Sequence, residues 1–120
     1  MKKQLAILLF LFGSLEANDM GSLLFHGNCV TCHYELEEKS APAMIHVRER
    51  YLQAFPKKED FVSFMSTWVM HPNEERSIMQ DAIAKYELMP QLAFEKDVLE
   101  DIAEYIYETD FRKIHKNHNY

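Results

Sequence analysis

The sequence predicts an all-α domain. Three observations lead there: apolar residues recur at spacings of three and four in successive stretches, no segment alternates polar and apolar residues as a half-buried strand does, and only three glycines occur in 120 residues. About five helices follow in order. Asn18 or Asp19 is placed to cap a first short helix carrying Leu24, Phe25 and His26, with Gly21, Phe25 and Cys29 at four-residue steps on one face. A glycine there lets another helix approach closely. Ser40 is placed to cap a second helix with Pro42 near its first turn, where a missing N–H costs nothing; Met44, Val47 and Tyr51 mark its buried side and Phe55-Pro56 stops it. From about Lys57 a third shows Phe61, Phe64, Met65, Trp68 and Val69 on one face and ends at His71-Pro72. Asn73 suits the N-cap of a fourth, Glu74 and Glu75 suit the positive end of its dipole, and Ile78, Met79, Ala82, Ile83 and Tyr86 form its stripe. The fifth, from about Glu95, turns Val98, Leu99, Ile102, Tyr105 and Ile106 inward while Glu100, Asp101, Glu104 and Glu108 face water. Residues 113–120, with His115 and His118, lack apolar periodicity and are expected to form a frayed tail.

Ahead of these helices, Lys2 and Lys3 precede an apolar run from Leu5 to Phe12, and Leu15-Glu16-Ala17 leads into polar Asn18-Asp19. This reads as a secretory signal peptide over residues 1–17, cleaved after Ala17. Its apolar run is shorter than the roughly 20 residues of a spanning helix, so no stable membrane span is expected after cleavage. Leu15 departs from the small-residue rule at such sites, which keeps a retained anchor as the alternative. The domain is then residues 18–112, a single compact unit. Loss of Lys2, Lys3 and Glu16 moves the net charge from −6 to −7. An acidic domain is excluded from ordinary phosphate-backbone binding and suits a partner with a basic patch.

The only two cysteines lie in Cys29-Val30-Thr31-Cys32-His33. A disulfide between them would close a very small loop and staple little of the chain. Two thiols at this spacing can reach the two vinyl groups of one porphyrin, and an imidazole directly after the second can rise onto its iron, so the pentapeptide reads as the attachment site of one covalent haem c. A zinc site would need a second pair of ligands, and none follows. A thioredoxin-like redox pair would need an α/β pattern, and strand signals are absent. Iron held by His33 needs a second axial ligand to shuttle electrons, and thioether sulfur is a common one. Met44, Met65, Met70, Met79 and Met89 are available; Met89 stands out because Pro90 holds it in extended backbone, outside a helix. His71, which also precedes a proline, is the runner-up. Trp68 is placed either to give its indole N–H to a haem propionate or to serve as a core aromatic.

These residues together resemble the small class I cytochromes c of bacterial periplasms. The resemblance rests on Gly21 and Phe25 ahead of Cys29-x-x-Cys32-His33, then Ala41-Pro42-Ala43 with Val47 and Tyr51, then Met89-Pro90, then a last helix with Ile102 and Tyr105. It implies a cytochrome c-like fold around one haem, with Gly21 and Phe25 packed against Ile102 and Tyr105. It also implies that the Pro42 carbonyl accepts from the ring N–H of His33, and that His33 and Met89 are the axial ligands. The chain departs from the smallest members in its longer stretch between Tyr51 and Met89, and in lacking a glycine before Met89.

The function expected is that of a monomeric periplasmic one-electron carrier that transforms no substrate and meets redox proteins bearing a basic docking patch. A haem c-based sensor or ligand-binding module, or a haem-bearing subunit of a respiratory complex, is the alternative. A one-haem peroxidase is less attractive, since no distal acid–base pair is visible in the sequence.

Overall fold

In the computed structural model of the chain, residues 17–117 are described, so residues 1–16 of the expected signal peptide and His118 lie outside the described residues. Those described form six helices and no strand: α1 Ala17–Asn28, α2 Met44–Ala54, α3 Lys58–Met70, α4 Gln80–Tyr86, α5 Lys96–Glu108 and α6 Phe111–Asn117.

The frame is made by α5 packed against α1 on one side and α3 on the other. The α1–α5 crossing is close because Gly21 has no side chain: a Cβ there would run into the backbone carbonyl of Asp101 and lie 2.8 Å from Cβ of Tyr105. One turn on, Phe25 is wholly buried and its ring sits 5.4 Å from that of Tyr105. Along α3, Phe61 is equally buried and meets Tyr107 edge-on, while Lys58 bridges Glu104 and Glu108. α2 joins this frame through a half-buried guanidinium: Arg48 donates to the carbonyls of Ile106 and Tyr107. These carbonyls lie at the C-terminal end of α5, where helix acceptors lack intrahelical partners and a cation is favourable.

Four boundaries differ from the sequence expectation. Asn18 and Asp19 fall inside α1, which begins at Ala17. α2 begins at Met44 rather than at Pro42, without a side-chain cap; its first N–H groups donate instead to the carbonyls of Tyr34 and Glu35. Asn73 does not cap the fourth helix. Its side-chain oxygen accepts from Arg76 N–H and makes a single turn, Ser77 Oγ accepts from Met79 N–H, and α4 starts only at Gln80. Both side chains offer the backbone local acceptors that compete with a continuing helix. Lastly, the expected tail is helical to Asn117. Asp110 accepts from Arg112 N–H at its start, and Phe111, 1% exposed, anchors it against Phe25. A single aromatic anchor leaves no periodic signature in the sequence.

Candidate functional site

The pentapeptide follows directly from α1. Cys29 N–H donates to Phe25 O, continuing the helical pattern, and the chain then turns so that His33 N–H donates to Cys29 O at 2.9 Å. This places Cys29 half-buried against the core and Cys32 exposed. Burial, and then the neighbouring Cys32, push the Cys29 thiol up to about 11.

The loop leaving His33 is tied on both sides. Glu35 accepts from His26 Nε2 of α1 at 2.9 Å and from His115 of α6, so His115 is spent on a carboxylate rather than free for metal. Glu38 accepts from Tyr86 and Lys85 of α4, which hold its carboxyl below the usual range. With Tyr34 and Glu35 also bonded to the start of α2, the loop returns Pro42 to the motif, and His33 Nδ1 donates to Pro42 O at 2.9 Å. Burial lowers the His33 pKa, opposed in part by that bond, which favours the neutral imidazole. A neutral imidazole that donates from Nδ1 carries its lone pair on Nε2.

Beside His33 lies a mainly apolar cavity of about 290 Å³, near the lower end of the roughly 300–1,000 Å³ range of small-molecule sites. Cys29, Cys32, His33 and Pro42 line it, with walls from α2, α3, α5 and the segment around α4. Four thioethers line it: Met44, Met65, Met79 and Met89. Met89 comes from the irregular stretch between α4 and α5. That stretch opens at Glu87, whose φ of 72° and ψ of 174° lie in a region that costs any residue with a side chain. Met70 is absent from the wall. His71 is exposed at the end of α3, with Nδ1 facing the Gln91 amide at 3.2 Å, and does not line the cavity.

Trp68 lines the cavity, but its indole N–H donates to Asn73 O at 2.9 Å. That bond closes the α3–Asn73 corner. Tyr51 is the polar residue that sequence reasoning passed over. It lies on the Met44, Val47, Tyr51 stripe, is 5% exposed, lines the cavity, and its hydroxyl has no hydrogen-bond partner among the described residues. Periodicity marked it as core, and only its hydroxyl carried a signal of anything further.

The donor set suits haem c: two thiols, one half-buried and one exposed, one imidazole with Nδ1 engaged, thioethers and mainly apolar walls. Among the described residues no three His, Cys, Asp or Glu side chains converge as a cage for a bare ion. Compared with protein-family models, curated proteins and solved structures, the chain matches none of them.

Proposed function

We propose that the chain is an exported, periplasmic monohaem c-type cytochrome with a class I-like fold, working as a one-electron carrier with His33 and Met89 as axial ligands. The observation that carries this reading is the juxtaposition of Cys29, Cys32 and a Pro42-oriented His33 on one apolar, thioether-lined cavity. Haem c bound there supplies one iron that cycles between ferrous and ferric.

The chain's part is to hold and shield. Cys29 and Cys32 would hold the ring through thioethers formed by adding their thiols across its two vinyl groups. The Pro42 carbonyl fixes the tautomer and tilt of His33, which keeps Nε2 as the ligating nitrogen. Met89 offers a thioether, which raises a haem potential relative to harder ligands. The walls from α2, α3 and α5 exclude water, so little has to reorganise when the charge changes. Cys32 and Leu88 are exposed at the mouth, where a partner's centre approaches. With a net charge of −6, the chain suits a partner with a basic patch, and the encounter weakens with salt.

The test is a visible spectrum of the chain co-expressed with a haem-attachment system. The carrier reading expects a low-spin c-type spectrum in the reduced form, a weak sulfur-to-iron band in the oxidised form, and no binding of carbon monoxide near neutral pH. One observation favours a second reading, a haem-based ligand-binding module: Met89 follows a strained Glu87 on a segment with little backbone hydrogen bonding, which suits an exchangeable sixth position. Carbon monoxide binding to the reduced, folded protein would decide for it.

A further inference from the structure

We propose that His26, with both ring nitrogens protonated, is a positioning residue that ties the loop after His33 to α1 through Glu35, and that losing one of those protons loosens the tie. The inference goes beyond the carrier reading, because it concerns α1, α6 and the loop and not the group in the cavity.

The Glu35 carboxylate is the meeting point. Its side chain is 10% exposed, while the two imidazoles on it, His26 and His115, are about half open to water. Oε1 faces His26 Nε2 at 2.9 Å, and Oε2 faces His115 Nε2. The Glu35 backbone is fixed as well, its carbonyl accepting from Ile45 N–H of α2 at 3.0 Å. One residue thus joins α1, α2 and α6, two positions beyond His33.

The protonation of His26 follows from its acceptors. Nδ1 lies 2.7 Å from the carbonyl oxygen of Ser22, which only accepts, and Nε2 lies against a carboxylate, which when ionised only accepts. Each contact needs a hydrogen on nitrogen, and two such hydrogens make the ring an imidazolium. A proton shared between a carboxyl and an imidazole resides on the imidazole, the weaker acid. Ser22 Oγ, 3.4 Å from Nδ1, becomes a useful donor only once the ring has withdrawn from the nearer carbonyl. His115 is under no such demand: a neutral ring with one N–H serves its single bond to Glu35.

A neutral His26 ring cannot keep both bonds. It gives up either Glu35 itself or the Ser22 contact that sets the ring's aim, and in both cases the charge-assisted part of the bond to Glu35 goes. Around the ring stand Ser22 and Phe25 of α1, Glu35 of the loop, Tyr105 of α5 with its ring centroid 6.0 Å away, and His115 of α6 across the carboxylate. Imidazoles change charge within the physiological range. Protonation of His115 adds a second cation on the same carboxylate and removes no bond. The tie is therefore firm on the acid side and loosens as the pH rises.

The experiment uses the full chain, labelled with the heavy nitrogen isotope and expressed with a haem-attachment system, and follows it by NMR in the ferrous state from about pH 5 to about pH 9. At the acid end His26 is expected to show two ring N–H resonances, both protected from exchange. As the pH rises one should be lost, in a step reported together by the amides of Glu35 and Ile45 and by the ring N–H of His33. His26→Gln keeps a donor without a titrating proton and should remove that step from the loop, whereas His115→Gln should leave it in place. Should H26Q fail to fold, the wild-type titration and H115Q decide. Fast exchange of either His26 N–H at the acid end, loop resonances indifferent to its titration, or loss of the step in H115Q overturns the proposal and leaves the carrier reading standing. A wild-type chain that takes up no haem yet shows the coupled step overturns the carrier reading alone, and one with neither haem nor step overturns both.

Discussion

His33 Nδ1 donates to the carbonyl oxygen of Pro42, nine positions later, at 2.9 Å. The bond spans a loop that is itself pinned by Glu35 to α1 and α6 and by Glu38 to α4. The imidazole is thus oriented by backbone that three helices hold in place, on a residue that lines the cavity.

The four thioethers on the cavity are predicted to be unequal. Met89→Ala should abolish the sulfur-to-iron band of the oxidised holoprotein, and Met79→Ala should keep it, because Met79 is buried at the start of α4 whereas Met89 lies on an irregular segment and is only partly buried. Near-infrared and visible spectra of the two variants check this. A band that survives in M89A and vanishes in M79A would reassign the ligand.

The two cysteines should differ in the haem-free protein. Cys32 is exposed, while Cys29 is half-buried with its thiol pushed up to about 11. The thiolate is the nucleophile, so iodoacetamide at pH 8 should label Cys32 first, and Cys29 labelling should climb only as the pH rises toward 11. The sign for stability follows: a thiol whose folded pKa is raised contributes fully below its unfolded pKa, and that contribution is lost as the pH rises through about 11. Mass spectrometry of peptides from timed labelling reads the order.

Two glycines of α1 are expected to respond in opposite directions. Gly21→Ala drives a methyl into the Asp101 carbonyl and should destabilise by about 1–3 kcal/mol, the usual cost of overpacking. Gly27 is exposed with nothing within 4 Å of a built Cβ, so Gly27→Ala should stabilise by about 0.5–1 kcal/mol through helix propensity. Urea unfolding of both variants measures the difference.

Glu87 takes a backbone conformation suited to glycine. Glu87→Gly should relieve strain worth about 1–3 kcal/mol, offset by the entropy a glycine adds to the unfolded chain, for a net gain of roughly 1 kcal/mol. Thermal unfolding of the variant should show a higher midpoint, and a lower one would mean that Glu87 is held by contacts rather than strained.

The helices that form the frame were legible because each buries a continuous stripe: Phe61 and Met65 on α3, and Leu99, Ile102 and Ile106 on α5. The parts that escaped are those whose partners lie far along the chain. α6 is held by Phe111 against Phe25 and by His115 on Glu35, contacts invisible to any local window. The late start of α4 came from Asn73 and Ser77 bonding to nearby backbone N–H groups, where a helix-capping role was the expectation for Asn73.

The sequence by itself determined the all-helical class and brought two thiols and an imidazole together, because a spacing of three residues within one turn needs nothing from the rest of the chain. Only the tertiary structure decided which side chains face them. It set Met44, Met65, Met79 and Met89 on the cavity while leaving Met70 and His71 off it, and it spent the Trp68 indole on Asn73 while leaving the Tyr51 hydroxyl without a partner among the described residues. Periodicity says that a face is buried. What that face is buried against depends on how the helices cross, as where Gly21 lets α1 lie against the Asp101 carbonyl of α5.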